Sequence, residues 1–343
     1  MLSGAGSSQV HGDGGPAVTR PIGGKGVWAG FIAQQYHRSS PMDAIQALAK
    51  DAKVAFRDGR YIADAVEKAK QSEVAIVFAT QWTTEGLDVP DLSLPDGQDE
   101  LIAAVAAANP NTIVVLETGG PVKMPWLDKV AGVIEAWYPG ARGGPAIASV
   151  LFGDTNPSGR LPLTFPASEA QLPRPRLDGS DWVEPDFSGN PSSGSDKLVS
   201  DYDIEGSDVG YRWFARKGAR PLFAFGHGLS YTTFESAGLK VKGMTASFTV
   251  KNTGKREGAE VAQLYLVDRA GQAKRRLAGF QRVNLAAGAS QNVSLTIDPR
   301  ILADWKDGGW TMPAGEYSFA LGKDAETLGT PVKVKLPAKS WKD

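Results

Sequence analysis

Three short apolar runs, separated by segments with helical periodicity, constrain the fold of the first half of this chain. The runs span residues 74–79 (VAIVFA), 112–116 (TIVVL) and 132–137 (GVIEAW). Continuous apolar runs of this length are typical of parallel strands that are buried on both faces. Their alternation with helices indicates βαβ units. The first half is therefore predicted to be α/β, with a doubly wound, mostly parallel sheet.

The helices of this half are predicted from apolar residues recurring at helical spacing. Pro110 ends one of them. A short apolar stretch at residues 54–56, closed by the turn pair Asp58-Gly59, predicts one further strand. The predicted helices span residues 43–52, 61–72, 98–109 and 144–152.

The periodicity changes after Pro166. Residues 167–200 are rich in Pro, Gly, Ser and Asp and lack apolar periodicity, which is typical of a linker or long loop. From about Phe234 the apolar residues alternate with a period of two, and turn signals such as Asn252-Thr253-Gly254 separate the runs. Short strands at such intervals predict an all-β sandwich of immunoglobulin or fibronectin type III kind. The predicted strands span residues 246–250, 261–267, 291–297 and 316–321.

These patterns divide the chain into three parts. Residues 1–166 form the α/β domain, residues 167–233 a linker and inter-domain segment, and residues 234–343 the β-sandwich.

Composition excludes several classes of function. The formal net charge is −1, which argues against a nucleic-acid partner and against a polybasic membrane surface. No apolar run is long enough for a membrane span. Cysteine is absent, and the three histidines, His11, His37 and His227, lie far apart, so no metal site is expected. No phosphate-binding loop is recognisable either, and no cofactor is expected.

The best candidate for chemistry is Glu85, in a loop that follows the strand ending at Ala79. Ligands of open α/β sheets bind outside the carboxyl ends of the strands. Trp82 offers a flat apolar face of the kind on which sugars stack, and Asp88 forms a carboxylate pair with Glu85. From the residues alone, a solvated acidic loop preceding the next helix is the better explanation of this segment.

A second candidate is His227, within the aromatic and glycine-rich residues 223–232. A catalytic histidine would require a nucleophile and an orienting acid. Because no Gly-x-Ser-x-Gly elbow is present, a packed aromatic turn is the simpler interpretation.

Six segments together resemble glycoside hydrolase family 3, the β-glucosidase and β-xylosidase family. Each motif alone is weak, but all six occur in the order found in the family. They are residues 2–10 (LSGAGSSQV), 84–88 (TEGLD), 136–140 (AWYPG), 153–166, 209–214 (VGYRWF) and 225–232 (FGHGLSYT).

The resemblance implies retaining hydrolysis of a β-glucoside or related oligosaccharide from its non-reducing end. Glu85 matches the general acid/base of the family, and Asp88 the acid that follows it. Val89 stands where the family usually has an arginine, so a contact made by that side chain is missing.

The resemblance covers the C-terminal portion of the family, without the N-terminal TIM-like barrel that carries the nucleophilic aspartate. Residues 180–182 (SDW) copy the usual nucleophile tripeptide, but they lie in the predicted linker, where coincidence is the better explanation. Since Met1 falls in the loop after the first strand of the sandwich domain, that strand is expected to be absent. The gap left by that strand is expected to be closed by the N-terminal segment, by a partner subunit or by a rearranged sheet. The expected protein partners are an N-terminal barrel or a second copy in a homodimer.

Three functions follow for this chain. The first is the acid/base-bearing portion of a retaining β-glycosidase, with little or no activity in isolation. The second is a non-catalytic carbohydrate-binding or structural module. The third is a hydrolase of other chemistry, such as an esterase that uses a serine and His227. The resemblance implies a secreted or periplasmic parent protein.

Overall fold

A computed structural model describes residues 39–81, 89, 91–175 and 201–342, together with two short strands near the start. The chain forms two compact units. Unit 1 comprises Met1–Thr155 with Arg176–Val199, and unit 2 comprises Asn156–Pro175 with Ser200–Asp343. Within the described residues, none of the helices has the length and apolar character needed to cross a membrane.

Unit 1 contains a parallel three-stranded sheet. Its strands are β3 (Ala75–Thr80), β4 (Thr112–Glu117) and β5 (Gly132–Glu135), in the order β3-β4-β5. The strands β1 (Leu2–Ser3) and β2 (Val10–His11) form a separate antiparallel pair. The fully buried side chains of Val114, Val115 and Leu116 make β4 the centre of the core, as expected for a strand covered on both faces.

In the described part of unit 1, four helices accompany this sheet: α1 (Pro41–Leu48), α2 (Ile62–Lys70), α3 (Gln98–Ala108) and α4 (Gly143–Leu151). Helix α1 packs against α4, and α2 against α3. The α1–α4 contact needs a glycine at position 144, since a Cβ there would lie 2.7 Å from the Ser40 carbonyl carbon.

Two sequence expectations for unit 1 are corrected. Residues 54–56 do not form a strand, although the backbone there is non-helical and continuous with the described chain. The third predicted strand ends at Glu135 instead of residue 137, because Trp137 has a φ of 54° and cannot continue an extended backbone.

Unit 2 is dominated by antiparallel strands in three sheets. Its core lies between them and is built from alternating inward-facing residues such as Phe248, Leu264, Leu266, Tyr317 and Phe319. Together with the parallel sheet of unit 1, this confirms the predicted fold class. The strands are β6 (Phe234–Lys242), β7 (Thr245–Asn252), β8 (Gly258–Arg269), β9 (Gln272–Leu285), β10 (Ser290–Thr296), β11 (Asp304–Lys306), β12 (Gly309–Met312), β13 (Gly315–Gly322), β14 (Val332–Leu336) and β15 (Lys339–Trp341). Their order in the three sheets is β10-β7-β6, β14-β13-β8-β9 and β11-β12-β15.

Unit 2 also contains a helix that the sequence did not predict, α5 (Tyr211–Lys217). It lies against β9, where the Tyr211 hydroxyl accepts a hydrogen bond from the Leu277 N–H at 2.9 Å.

Candidate active site

The three residues nominated for substrate chemistry, Trp82, Glu85 and Asp88, lie outside the described residues. The same holds for the tripeptide at residues 180–182. The structure does describe both flanks of the segment that carries Glu85, from Gln81 on one side and from Asp91 on the other.

The first flank is the carboxyl end of β3, which is held by Gln98 at the start of α3. The Thr80 N–H donates to Gln98 Oε1 at 2.8 Å, and Gln98 Nε2 donates back to the Thr80 carbonyl at 2.8 Å. The same Nε2 also donates to the Pro95 carbonyl. The carboxamide therefore pairs with Thr80 in the way that a neighbouring strand would.

Gln81 is bound from the other side and is buried. Its N–H donates to the Glu117 carbonyl on β4 at 3.2 Å, and its own carbonyl accepts from the Tyr138 hydroxyl at 2.6 Å. Both backbone groups of the residue that precedes the Glu85 segment are thus satisfied, which fixes the point where that segment leaves the sheet.

The second flank is held by Asp99, the neighbour of Gln98 on α3. Asp99 Oδ2 accepts from the Leu94 N–H at 3.2 Å, and Oδ1 accepts from the indole of Trp126 at 2.7 Å. The backbone of Leu92 is tied by a 2.7 Å bond from the Lys123 N–H. Two consecutive residues at the start of α3 therefore anchor both sides of the segment from 82 to 88.

Two acids occupy the carboxyl ends of the neighbouring strands. Glu117 ends β4 and is fully buried, and Glu135 ends β5. Glu135 Oε1 accepts from the Trp137 N–H at 3.0 Å, and its carboxyl group lies 3.3–3.4 Å from the Thr118 hydroxyl. Burial raises the pKa of Glu135 to about 8, and the Glu117 charge adds to this rise, while hydrogen bonds from Trp137 and Thr118 oppose it.

Neither acid was nominated from the sequence. The available signal was an acidic residue directly after each apolar run, in TIVVLE and GVIE. Metal binding is not indicated by this pair, since no group of three or more potential ligands occurs within the described part of the chain.

His227 lies elsewhere, in unit 2. Its Nδ1 is 3.7 Å from Asp324 Oδ2, and its ring packs on Phe223 with a centroid distance of 5.1 Å. The hydroxyl of Ser230, three residues on, bonds to Asn156 instead. The surroundings of His227 are those of a packed turn.

Comparison with known proteins identifies the two parts of the chain. Residues 3–231 match the C-terminal domain of glycosyl hydrolase family 3, and residues 260–325 match a fibronectin type III-like domain.

Relatives and solved structures agree with these matches. A β-glucosidase of Rhizobium radiobacter is 40% identical over 80% of this chain, which covers 34% of that protein. The crystal structure of DesR, a β-glucosidase from Streptomyces venezuelae in complex with D-glucose, superposes with a TM-score of 0.67 at 40% identity, over 80% of this chain and 35% of that one. A family 3 β-glucosidase from Bifidobacterium adolescentis gives a TM-score of 0.74 at 32% identity, over 88% of this chain and 46% of that one.

The chain spans about a third of the length of the curated relatives that it matches. Along the chain, the match to the family 3 C-terminal domain precedes the match to the fibronectin type III-like domain. The chain belongs to glycoside hydrolase family 3, of which it carries the C-terminal α/β domain followed by the fibronectin type III-like domain.

Proposed function

We propose that this chain supplies the general acid/base, Glu85, to a retaining β-glucosidase. The observation that carries the proposal is the anchoring of both flanks of the Glu85 segment by Gln98 and Asp99, at the carboxyl edge of the parallel sheet. Ligands of α/β sheets bind at this edge. The β-glucosidase names of the relatives supply the substrate class, a β-linked glucoside.

Retaining hydrolysis requires a second carboxylate about 5–5.5 Å from the acid/base, which acts as the nucleophile. In our proposal that carboxylate belongs to the portion of the relatives that this chain does not match, and the partner of this chain is a barrel carrying it. Trp82 and Asp88 would contact the sugar beside Glu85. Without the second carboxylate, the covalent route is closed.

The experiment compares two substrates and two variants in the complete enzyme, together with this chain alone. Glu85→Gln is expected to lower kcat/KM for cellobiose by about 10²–10⁴-fold, the usual contribution of general acid–base catalysis. An aryl β-glucoside with a good leaving group needs less protonation, so its glycosylation step should slow far less. Asp91→Asn, at an exposed residue that follows the segment, is the matched control for removing one negative charge.

The outcomes are distinct. Equal slowing of both substrates by Glu85→Gln would contradict the acid role. Turnover of aryl glucosides by this chain alone, abolished in Glu85→Gln, would show that the nucleophile is also in this chain.

A non-catalytic carbohydrate-binding or structural module is the second candidate. It is favoured by the share of the relatives that the chain covers, about a third. Unchanged cellobiose hydrolysis in Glu85→Gln would select it over the catalytic proposal.

A further inference from the structure

Burial and a neighbouring acid oppose the negative charge of the Glu135 carboxyl group, although hydrogen bonds from Trp137 and Thr118 favour it. The group lies between the Trp137 N–H and the Thr118 hydroxyl, at the end of β5, where Glu135 is partly buried. The Trp137 N–H, a donor, satisfies Oε1 at 3.0 Å. The Thr118 N–H is a second backbone donor to the carboxyl group, and both carboxyl oxygens lie 3.3–3.4 Å from the Thr118 hydroxyl.

The Thr118 hydroxyl has one proton to donate, and its nearest acceptor is not Glu135. Its Oγ1 is 2.9 Å from the Gly120 carbonyl, which can only accept, and 3.3 Å from Glu135 Oε2. A hydroxyl that donates to Gly120 can only accept from Glu135. A neutral Glu135 can supply the proton for this longer contact, whereas an ionised Glu135 would face a hydroxyl whose proton is already used at Gly120.

We propose that Glu135 is a positioning residue: it holds a proton at neutral pH, donates it to Thr118, and thereby fixes the Trp137–Tyr138 turn against Gln81, where the Glu85 segment begins.

The electrostatic surroundings agree with a neutral Glu135. Burial disfavours its charge, and Glu117, the acid at the end of the neighbouring strand, disfavours a second negative charge beside it. Among the described residues, the phenol of Tyr138 is a further titratable group at this edge, and its hydroxyl donates to the Gln81 carbonyl. The resulting pKa of about 8 leaves Glu135 mostly protonated at pH 7.

The turn that Glu135 holds is one that needs support. Trp137 has a φ of 54°, which is unfavourable for a residue with a side chain and persists only when its surroundings impose it. The Glu135 carboxyl binds the N–H of that residue, and the next residue, Tyr138, reaches Gln81. Ionisation of Glu135 would favour rotation of the Thr118 hydroxyl away from Gly120 and towards the carboxylate.

The first test measures the proton directly in this chain. With ¹³C-labelled glutamate carboxyl groups, the Glu135 resonance is assigned by its absence from Glu135→Gln. We expect it to titrate above pH 7. An inflection at pH 4–5 would overturn the inference.

The second test measures positioning. The carboxamide of Glu135→Gln can accept from Trp137 and donate to Thr118 at every pH, so it imitates the protonated acid. If local opening exposes the Glu135 carboxyl to solvent, the equilibrium constant for opening should increase about tenfold per pH unit. This increase should span the pH range between the pKa of the exposed carboxyl and that of the buried one. Hydrogen exchange at residues 77–81 and 136–140, corrected for intrinsic rates, should therefore accelerate with pH in the wild-type chain and stay flat in Glu135→Gln.

Glu67→Gln, at an exposed site on α2, is the matched control and should follow the wild type. Equal pH dependence in wild type and Glu135→Gln would contradict the positioning role. The link to catalysis rests on the proposed function, but neither measurement uses a substrate. A failure here therefore leaves the Glu85 proposal standing, and unaffected cellobiose hydrolysis in Glu85→Gln leaves this inference standing.

Discussion

At the residue scale, the acids of this chain differ in whether neighbouring or distant residues of the sequence make up their surroundings. Glu85 was nominated because it sits in a recognisable run of neighbours, TEGLD. Glu117 and Glu135 were not, because their burial depends on side chains and backbone contributed from distant parts of the sequence. Desolvation depends on tertiary packing. From the sequence alone, a buried acid after an apolar run therefore cannot be distinguished from an ordinary polar residue at a strand end.

Asp324 in unit 2 is another acid whose environment the sequence conceals. Burial opposes its charge, but hydrogen bonds from His227, from the N–H groups of Thr327 and Glu326 and from the Thr327 hydroxyl outweigh this. Together they lower the pKa of Asp324 to about 2. A carboxyl group whose pKa is lower in the folded than in the unfolded state stabilises the fold at pH values above the unfolded-state pKa. This stabilisation disappears as the pH falls through the folded-state pKa.

We therefore predict that the Asp324–His227 pair contributes to the free energy of unfolding and that this contribution is lost in acid. Asp324→Asn should lower the free energy of unfolding at pH 6 by about 2 kcal/mol, the equivalent of the shift from 3.8 to about 2. The deficit should shrink between pH 4 and pH 2 as the wild-type carboxylate becomes protonated. Urea unfolding across this range measures it, with the exposed Asp307→Asn as control. A deficit of constant size down to pH 2 would contradict the assignment.

At the element scale, the periodic segments were predictable and the poorly patterned ones were not. The apolar runs became β3, β4 and β5, and the period-two runs became β7, β8, β10 and β13. Strand β9 was missed because it ends its sheet, and its charged residues, as in Lys274-Arg275-Arg276, are typical of an edge strand. Residues 54–56 have strand-like composition, but a strand also requires a partner, which local sequence cannot supply.

The anchoring of the candidate site by α3 could not be predicted, because Gln98 and Asp99 look in the sequence like ordinary residues of a first helical turn. Their side chains bind backbone groups at Thr80 and Leu94, and these contacts appear only once the helix is packed beside the strand. The sequence therefore identified the segment that carries Glu85 and not the residues that hold it.

Gln98→Ala is predicted to weaken this anchor. It removes the partners of both backbone groups of Thr80, so the free energy of unfolding should fall by about 1–3 kcal/mol, the cost of unsatisfied polar groups. Hydrogen exchange at Thr80 and Gln81 should accelerate. Gln71→Ala, which removes an exposed glutamine that follows α2, is the matched control. Equal effects of the two substitutions would mean that the Gln98 contacts contribute nothing specific.

At the scale of the whole molecule, the outermost described strand on one side of the parallel sheet, β3, is notable because it has buried side chains. Val77 and Ala79 on β3 are buried, and β3 pairs with β4 on one side. Backbone groups alternate in direction along a strand, so those of Ile76 and Phe78 point away from β4, as those of Thr80 do. Thr80 is bound by Gln98, whereas no described strand pairs with β3 on that side.

We predict that this side of β3 is covered by a further strand, because buried unpaired backbone groups are costly and open edges recruit other chains. Direct pairing with residues 54–56 is not the solution, since those residues form no strand. An N-terminal segment of the same chain or a second copy in a homodimer would supply it.

Proline scanning tests the coverage. Val77→Pro removes an N–H that bonds to β4, and should cost about 3 kcal/mol or more. If the far side is covered, Ile76→Pro should cost as much after subtraction of the Ile76→Ala effect, which accounts for the lost side chain. Light scattering separates the two sources, since a dimer indicates a second copy, and a monomer that remains sensitive to Ile76→Pro indicates a strand from the same chain. A monomer that tolerates Ile76→Pro would show that β3 is stable as a true edge, protected at Thr80 by the Gln98 carboxamide alone.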